Sequence, residues 1–336
     1  MRIFRPEQLG RGVRILSTGS YLPARRVTNE QLVAGGAPLT ADEIVRLSGI
    51  QARHWAAEDE ATSDLAIHAC RRALERARMP PSDVDRLIVG TVSPDHMSPS
   101  SACFVQKALG LGHVPSFDLT ASCSGFLYAL DVGARSVATG DRAVLAVAAD
   151  VRSRFLDAND RSTCALFGDG AGAAILAEGP PGKGLVAIGL LADGTGAHSV
   201  YVPAGGSREP ASAATVAGRR HAIRMAEGPQ VYLAAVEGMV ETAETLLKSL
   251  GMTFADVDLV VPHQPNRRIL DRLAKIGGIP LEKMVVNVDR IANVSGASCA
   301  IAFDEVMSSG RVQPGMKVLL VAAGAGYTAG AALIVT

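Results

Sequence analysis

The segment ALERARMPPSDVDRLIV (residues 73–89) has a counterpart in LLKSLGMTFADVDLVVP (residues 246–262). Each segment has the pattern of a helix, a turn, the triplet Asp-Val-Asp and a wholly apolar strand. The residues that keep one constant offset of 173 positions are Leu74 with Leu247, Met79 with Met252, Asp83-Val84-Asp85 with Asp256-Val257-Asp258, and Ser122 with Ser295. Because the offset is constant and close to half the chain, we infer an internal duplication.

The duplicated strands predict the fold class. A strand that is apolar on both faces belongs in a sheet covered on both sides, which favours parallel βαβ units and an α/β fold. We expect an N-terminal half at residues 1–178 and a C-terminal half at residues 179–336. A cleft where the two halves meet is the expected place for a site.

Composition narrows the function classes. The 336 residues are 48 % hydrophobic and 20 % charged, with 33 Lys plus Arg against 33 Asp plus Glu. This balance provides no overall basic surface for nucleic acid. No uninterrupted apolar stretch is long enough for a membrane span, and the N-terminus lacks the pattern of a signal peptide, which predicts a cytoplasmic protein. The five cysteines have no CxxC spacing and the histidines no HxxxH spacing, so we expect neither disulfides nor a metal.

Cys123 is a candidate nucleophile. It stands in DLTASCSGFLYAL (residues 118–130), where a short strand is followed by a helix that is apolar on nearly every side over residues 126–137. The free N–H groups and the positive dipole end of such a helix favour the thiolate form of a cysteine at its start. The alternative is a buried cysteine with a purely structural role, which is common.

His263 and Asn293 are two further candidates. His263 follows the apolar strand of the second half, and ligands of α/β sheets bind at the carboxyl ends of strands. Its alternative role is a core histidine with a hydrogen-bonded ring. Asn293 lies in IANVSGAS (residues 291–298), which the duplication places opposite the Cys123 loop, with Gly296 matching Cys123. A single loop asparagine is usually a turn former, so this prediction depends on the symmetry.

Taken in order, these segments resemble the β-ketoacyl-ACP synthase III family of the thiolase superfamily. The resemblance extends nearly from end to end. The segments that carry it are residues 17–23, 48–54, the Cys123 loop, Asp160-Arg161, FGDGAG (residues 167–172), HQPN (residues 263–266), the Asn293 loop and GAGY (residues 324–327). It implies a thiolase fold, with two pseudo-duplicated βαβ-rich halves in a layered αβαβα arrangement.

The resemblance also implies an activity, that of an acyltransferase. Such an enzyme performs a decarboxylative Claisen condensation of an acyl-CoA with malonyl-ACP or malonyl-CoA through an acyl-Cys123 intermediate. His263 and Asn293 would bind the malonyl thioester carbonyl and stabilise the enolate. The backbone N–H groups of Cys123 and Ala325 would form the oxyanion hole.

Substrate contacts follow from the same resemblance. Gly228 and Asn266 would line the pantetheine channel, Arg161 would lie near the CoA adenine, and Arg268 would contact the acyl carrier protein. The resemblance further implies a homodimer, with thioester substrates and no cofactor, nucleic acid or membrane partner.

Specific residues exclude three related classes of protein. Thiolases carry a second catalytic cysteine in the last glycine loop, and residues 322–329 contain none. Elongating ketosynthases use two histidines, whereas the second position here is Asn293. A catalytically inactive partner subunit would lack the nucleophile, and Cys123 is present.

Some positions depart from the family pattern and bear on the substrate. The adenine-stacking tryptophan is missing from residues 42–44, and Leu47 stands where the family has an arginine. Ala292, Val294 and Ala325 replace a glycine, a threonine and a glycine. We therefore expect CoA to be held differently.

Two alternatives to fatty-acid initiation are open, one with a different acyl donor and one with a different reaction. Residues 93–96, 123–125 and 263–266 are similar to the condensing enzyme of the alkylquinolone signal pathway, which uses an aromatic acyl group. A specialised-metabolite or quorum-signal enzyme with a bulkier donor is one alternative, and an ester- or amide-forming acyltransferase on the same fold is the other. Ser98 occupies the position of a phenylalanine that, in the fatty-acid-initiating enzyme, closes the partner's acyl cavity. We therefore expect a deeper or wider acyl pocket.

Overall fold

The computed structural model describes residues 1–336, apart from the side chain of Leu9. The β-strands are β1 (Arg2–Phe4), β2 (Gly12–Tyr21), β3 (Arg25–Thr28), β4 (Ala52–Trp55), β5 (Arg86–Gly90), β6 (Ser116–Leu119), β7 (Ala143–Val151), β8 (Asp169–Gly179), β9 (Gly184–Ala192), β10 (Val200–Tyr201), β11 (Arg224–Met225), β12 (Leu259–Pro262), β13 (Lys317–Gly324) and β14 (Thr328–Val335). The α-helices are α1 (Asn29–Ala34), α2 (Ala41–Ser48), α3 (Thr62–Ala77), α4 (Ser101–Leu109), α5 (Gly125–Thr139), α6 (Ala213–Ala217), α7 (Gly228–Ser249), α8 (Arg267–Gly277), α9 (Val288–Ile291) and α10 (Ala297–Ser308).

Two five-stranded sheets have matching strand orders. The first runs β2-β8-β7-β5-β6 and the second β1-β9-β14-β13-β12. The first four strands of one sheet therefore correspond, in order, to β9-β14-β13-β12 of the other. The predicted duplication is confirmed at the level of topology.

The sheets are mixed, whereas the sequence predicted parallel pairing. β5 pairs parallel with β6 and β7, and β12 pairs parallel with β13. The return strands β8 and β14 are antiparallel to their neighbours. Residues 325–327, which join β13 to β14, are too few for the crossover that a parallel pair needs, so these strands form an antiparallel hairpin.

The repeated triplet Asp-Val-Asp has a structural explanation. The backbone N–H of Arg142, just before β7, donates to the Asp85 carboxylate at 2.7 Å. The backbone N–H of Lys317, at the start of β13, donates to the Asp258 carboxylate at the same distance. In each half, the second aspartate thus fixes the start of the neighbouring central strand.

Five layers result from the packing of helices on the two sheets. α5 and α10 lie between the sheets, in a core that draws buried residues from both halves. α3 and α4 cover the outer face of the first sheet, and α7 and α8 cover that of the second. Close approach is required at Gly172 on β8, where an added Cβ would lie 2.5 Å from the Cβ of Ala300 on α10. The predicted αβαβα arrangement of two pseudo-duplicated halves is confirmed.

The strand order is relevant to the point at which the chain divides into two halves. β8 ends at Gly179, and β1, although N-terminal, pairs with β9 in the second sheet. The halves 1–178 and 179–336 stay a prediction about domain limits. Among the described residues, no helix has both the length and the apolar character needed to cross a bilayer.

Candidate active site

Two pseudo-equivalent loops meet between the sheets. Cys123 lies in the 3₁₀ turn Ser122–Ser124, just before α5, and Asn293 lies in the loop before α10. An added Cβ at Gly296 would lie 3.1 Å from the backbone oxygen of Ser122, so the loops are in close contact.

The duplicated serines of these loops share a rare backbone conformation. Ser122 and Ser295 each have φ of 48°, in the left-handed region. That conformation costs about 1–2 kcal/mol for a residue other than glycine. Such strain concentrates at functional sites, and here it occurs at both symmetry-related positions.

One cavity of about 430 Å³ brings the three sequence candidates together. Cys123, His263 and Asn293 all line it, and Ala325 does so as well. Among the described residues, no cluster of three or more His, Cys, Asp or Glu side chains is arranged to hold a metal ion.

The Cys123 thiol is partly buried in the cavity wall, 3.9 Å from the hydroxyl of Ser295. Burial raises the pKa of the Cys123 thiol to about 11, against the opposing effects of the Ser295 contact and the positive charge of Arg152. The sequence predicted a stabilised thiolate. The structure differs because removal of water penalises the charged form more than these neighbours favour it.

His263 is neutral in this environment. Its backbone N–H donates to Val321 at 2.8 Å, which holds it beside β13, and the residue is 1 % exposed. Burial lowers the pKa of the His263 imidazole to about 3. Its Nδ1 has no hydrogen-bond partner among the described residues. The ring is therefore a neutral group at physiological pH.

Asn293 is fixed by its backbone and by one side-chain atom. Its N–H donates to Leu166, and its carbonyl oxygen accepts from Gly168, both at 3.0 Å. Its Oδ1 accepts a 2.8 Å hydrogen bond from the Ser295 N–H. Because Oδ1 is engaged in this way, the Nδ2 amide group is the part of the side chain left to donate.

The last glycine loop approaches the nucleophile from β13. An added Cβ at Gly324 would lie 2.6 Å from the backbone nitrogen of Cys123. Only glycine fits at this distance, since real Cβ contacts are longer. Ala325 follows at the cavity wall.

An outer pocket of about 580 Å³ continues the cavity. Arg161 and Arg268 line this pocket. The residues that line both spaces are Leu166, Gly228, Tyr232 and Asn266. The structure thus places Gly228 and Asn266 on a path that leads from the outer pocket to Cys123.

Two of the predicted substrate-contacting residues already have partners in the protein. The Arg161 guanidinium donates to the Glu43 carboxylate and to the backbone oxygen of Pro38, both at 2.6 Å. The Asn266 Oδ1 accepts from the Ile269 N–H at 3.0 Å and caps α8. The predicted residue Ser98 is exposed and lies outside both the cavity and the outer pocket.

Sequence reasoning missed two charged residues at the end of β7. Asp150 is buried, and its carboxylate accepts from the backbone N–H groups of Val92 at 2.8 Å and Gly296 at 3.2 Å. Burial raises the pKa of Asp150 to about 6. Arg152 is buried as well and lines the cavity. The sequence did contain a signal for them, namely two charged residues at the end of a wholly apolar strand, where the sheet meets the cleft.

Comparison with known proteins finds relatives of one family, and the match extends over nearly the whole chain. The profile of 3-oxoacyl-[acyl-carrier-protein (ACP)] synthase III matches residues 117–197, and that of its C-terminal part matches residues 247–336. A β-ketoacyl-[acyl-carrier-protein] synthase III of Caldanaerobacter subterraneus subsp. tengcongensis is 44 % identical over 319 residues, which cover 94 % of this chain and 95 % of the relative.

Two solved structures, one of the same name and one a ketosynthase of a polyketide pathway, confirm the predicted thiolase fold. The 3-oxoacyl-[acyl-carrier-protein] synthase III of Aquifex aeolicus VF5 superposes with a TM-score of 0.88 and 35 % identity, covering 97 % of this chain and 100 % of the other. The priming β-ketosynthase of the R1128 polyketide biosynthetic pathway superposes with a TM-score of 0.87 and 33 % identity, covering 97 % and 96 %.

Proposed function

The chain belongs to the β-ketoacyl-ACP synthase III family and is a condensing acyltransferase, and we propose that Cys123 carries the acyl group during its reaction. The donor is an acyl-CoA, and the acceptor is malonyl-ACP or malonyl-CoA. The observation that supports this assignment is the convergence of Cys123, His263 and Asn293 on one cavity between the two halves.

The loading step is a thioester exchange. The Cys123 sulfur attacks the donor carbonyl, the C–S bond to CoA breaks, and the thiol proton of Cys123 ends on the departing CoA sulfur. The backbone N–H groups of Cys123 and Ala325 form the oxyanion hole for the tetrahedral intermediate. Such preorganised donors contribute a few kcal/mol each in comparable enzymes, and Gly324, whose added Cβ would lie 2.6 Å from the Cys123 nitrogen, brings the end of β13 against Cys123.

The condensation step uses His263 and Asn293. Nε2–H of the neutral imidazole and the Asn293 Nδ2 group donate hydrogen bonds to the malonyl thioester carbonyl. When the bond to the carboxylate breaks, its electron pair forms the enolate that these donors stabilise, and carbon dioxide leaves. The enolate carbon attacks the acyl-Cys123 carbonyl, the C–S bond to Cys123 breaks, and the departing sulfur takes a proton from solvent to restore the thiol.

The outer pocket holds the pantetheine arm and the nucleotide. Gly228 and Asn266 line the channel, and Arg161 lies near the adenine. Because Glu43 stands in the segment where the family places a tryptophan and binds Arg161, the adenine meets an ion pair rather than a stacked ring. Arg268, exposed on α8, contacts the acidic carrier protein.

The assembly and its location complete the proposal. We infer a cytoplasmic homodimer with no cofactor other than its CoA and phosphopantetheine substrates. In that dimer, Ser98, which lies in an exposed segment, faces the acyl cavity of the partner subunit.

A specialised-metabolite role with a bulkier donor is the second candidate. The observation that favours it is the likeness to a priming β-ketosynthase of a polyketide pathway, together with serine at position 98. Loading rates for acetyl-, octanoyl- and benzoyl-CoA in the parent protein and in Ser98→Phe distinguish this role from fatty-acid initiation. A preference for acetyl-CoA over all bulkier donors excludes the second candidate.

The division of labour among the three residues is tested with His263→Ala and Asn293→Ala. Both variants should still acquire the acyl group on Cys123 but release little carbon dioxide from malonyl thioester. The exposed residues His113 and Asn159 supply matched controls, His113→Ala and Asn159→Ala. If the two site variants decarboxylate like the controls, the assignment fails. If the parent protein never decarboxylates malonyl, an ester- or amide-forming transfer replaces condensation.

A further inference from the structure

Arg152 is a buried cation that lacks an anionic partner. It follows β7, is 7 % exposed and lines the cavity that also holds Cys123. Its Nη1 makes one long hydrogen bond, 3.4 Å, to the backbone oxygen of Val92. Its Nε has no partner among the described residues, and no carboxylate oxygen of those residues lies within 4.0 Å of the guanidinium.

The two nearest carboxylates are engaged with other donors. Asp150 accepts from the backbone N–H groups of Val92 and Gly296 and from the hydroxyls of Thr91 and Ser93. Asp169 accepts from the Ser153 hydroxyl at 2.6 Å and from the backbone N–H of Arg152 at 2.7 Å. Both carboxylates act on the guanidinium from a distance and oppose the lowering of the Arg152 pKa by burial. Neither of them covers its donors.

Of the described side chains that line the cavity, none besides Arg152 is an Arg, Lys, Asp or Glu. The other side chains that line the cavity are largely apolar, among them Phe167, Val200, Ile223 and Met225. Arginine stays protonated in proteins, and burial of a guanidinium without an anion is costly. The rings of Phe155 and Phe167, whose centroids lie 5.6 and 5.7 Å from the Arg152 Cζ, offset only part of this cost. A ligand that brings its own negative charge would supply this pair.

The position of Arg152 indicates which part of a ligand it meets. Gly228, Tyr232 and Asn266 line both the cavity and the outer pocket, whereas Arg152 and Ile223 line the cavity alone. When the carbonyl of a thioester that enters from the outer pocket stands at Cys123, its acyl chain occupies the part of the cavity that the outer pocket does not share. Arg152 lines this unshared part, so the group within its reach is the acyl chain.

We propose that Arg152 binds a carboxylate at the far end of the acyl donor, so that the preferred donors are short ω-carboxyacyl thioesters. This inference rests on the proposed function. The bound carboxylate is not that of malonyl, because an ion pair with arginine would stabilise the carboxylate that has to leave as carbon dioxide. Arg152 is thus a specificity-determining residue for the loading step.

The test compares donors of equal chain length. Loading of Cys123 is measured as kcat/KM for succinyl-, glutaryl- and adipyl-CoA against butyryl-, pentanoyl- and hexanoyl-CoA. The parent protein should prefer at least one carboxylated donor over its neutral match. Replacement by leucine in Arg152→Leu should lower that ratio on the order of 10- to 100-fold, the range expected for hydrogen bonds to a charged group.

Two further variants separate recognition from folding. Arg154 lies two residues away, is exposed and donates to backbone oxygens of residues 57, 58 and 60. Arg154→Leu removes the same charge outside the cavity and should keep the parent ratio. Arg152→Lys retains a buried charge without the planar fork, and its ratio should lie between those of the parent and Arg152→Leu. Thermal melting of each variant reports whether it is folded.

Three outcomes overturn the inference. Neutral donors that load on Cys123 as well as their carboxylated matches in the parent protein contradict it and leave the proposed function intact. An equal loss for both donor classes in Arg152→Leu shows that Arg152 acts on the Cys123 thiol and not on the donor. A parent protein that acquires no acyl group from either class overturns the inference, and if acetyl-, octanoyl- and benzoyl-CoA fail as well, the proposed function falls with it.

Discussion

At the scale of single residues, the reactive end of the cavity contains neutral groups beside one cation. Burial keeps the Cys123 thiol protonated and the His263 ring unprotonated at neutral pH. Asn293 adds an uncharged amide. Arg152 supplies positive charge close to the nucleophile. This arrangement suits a reaction in which negative charge develops on the thioester carbonyl oxygens during the steps and is absent from these oxygens before them.

The raised pKa of Cys123 predicts a pH dependence. A thiol with a pKa of about 11 is thiolate in about one part in ten thousand at pH 7, and this fraction rises about tenfold per pH unit below the pKa. Alkylation of Cys123 by iodoacetamide should therefore accelerate by about that factor per unit between pH 7 and 9. Peptide mass spectrometry gives the rate for this residue alone.

The control for this prediction is Cys123→Ser. This variant lacks the thiol at position 123, so the adducts that it forms belong to other cysteines. A rate at Cys123 that is already constant across this pH range would mean that the dipole at the start of α5 outweighs burial, as the sequence alone predicted.

At the scale of elements, the two central helices and the loops before them hold the site. α5 and α10 each begin just after a strained serine, and β13 ends against the first of these loops. The position of the nucleophile therefore depends on backbone contacts between elements that are distant in sequence.

Gly324→Ala tests this dependence. The added Cβ would lie 2.6 Å from the Cys123 nitrogen and 3.1 Å from the Cys123 Cβ, so one of the two backbones has to move. A displacement of this size in the oxyanion hole should lower kcat/KM for loading by about 100-fold or more. The measurement is the initial rate of CoA release from an acyl-CoA donor.

Gly206→Ala is the matched control. An added Cβ there meets nothing within 4 Å, and the backbone φ lies outside the left-handed region that favours glycine. It should load at the parent rate. If Gly324→Ala also loads at that rate while it stays folded, then the close contact does not position the oxyanion hole.

At the scale of the whole molecule, both sheets share one helical layer. Phe303 on α10 is fully buried within the core that joins the two halves. Phe303→Ala should lower the free energy of unfolding by about 3–5 kcal/mol, from lost burial and the cavity left behind. Urea denaturation followed by circular dichroism should give a single transition, since neither sheet keeps its inner cover alone.

Val216→Ala, at a position that is 57 % exposed on α6, is the control and should change the free energy of unfolding by less than about 0.5 kcal/mol. Two separate transitions in Phe303→Ala, or a loss below 1 kcal/mol, would contradict a shared core.

The sequence predicted the parts of this architecture that repeat. The constant offset located the duplicated strands β5 and β12 and the paired loops at Cys123 and Gly296, because equivalent positions in two similar halves carry the same pattern. The antiparallel return of β14 was missed, since an all-apolar strand does not reveal its direction. Arg152 and the high pKa of Cys123 were missed because burial comes from contacts distant along the chain.

The central claim is that Cys123 carries the acyl group, and it is tested most directly by locating the acyl adduct. The protein is incubated with the acyl-CoA panel, quenched in acid and digested, and the peptides are sequenced by mass spectrometry. We expect an adduct of the donor's acyl mass on Cys123 and its loss in Cys123→Ala. An adduct confined to Cys103, Cys164 or Cys299, or undiminished acylation of Cys123→Ala, would contradict it.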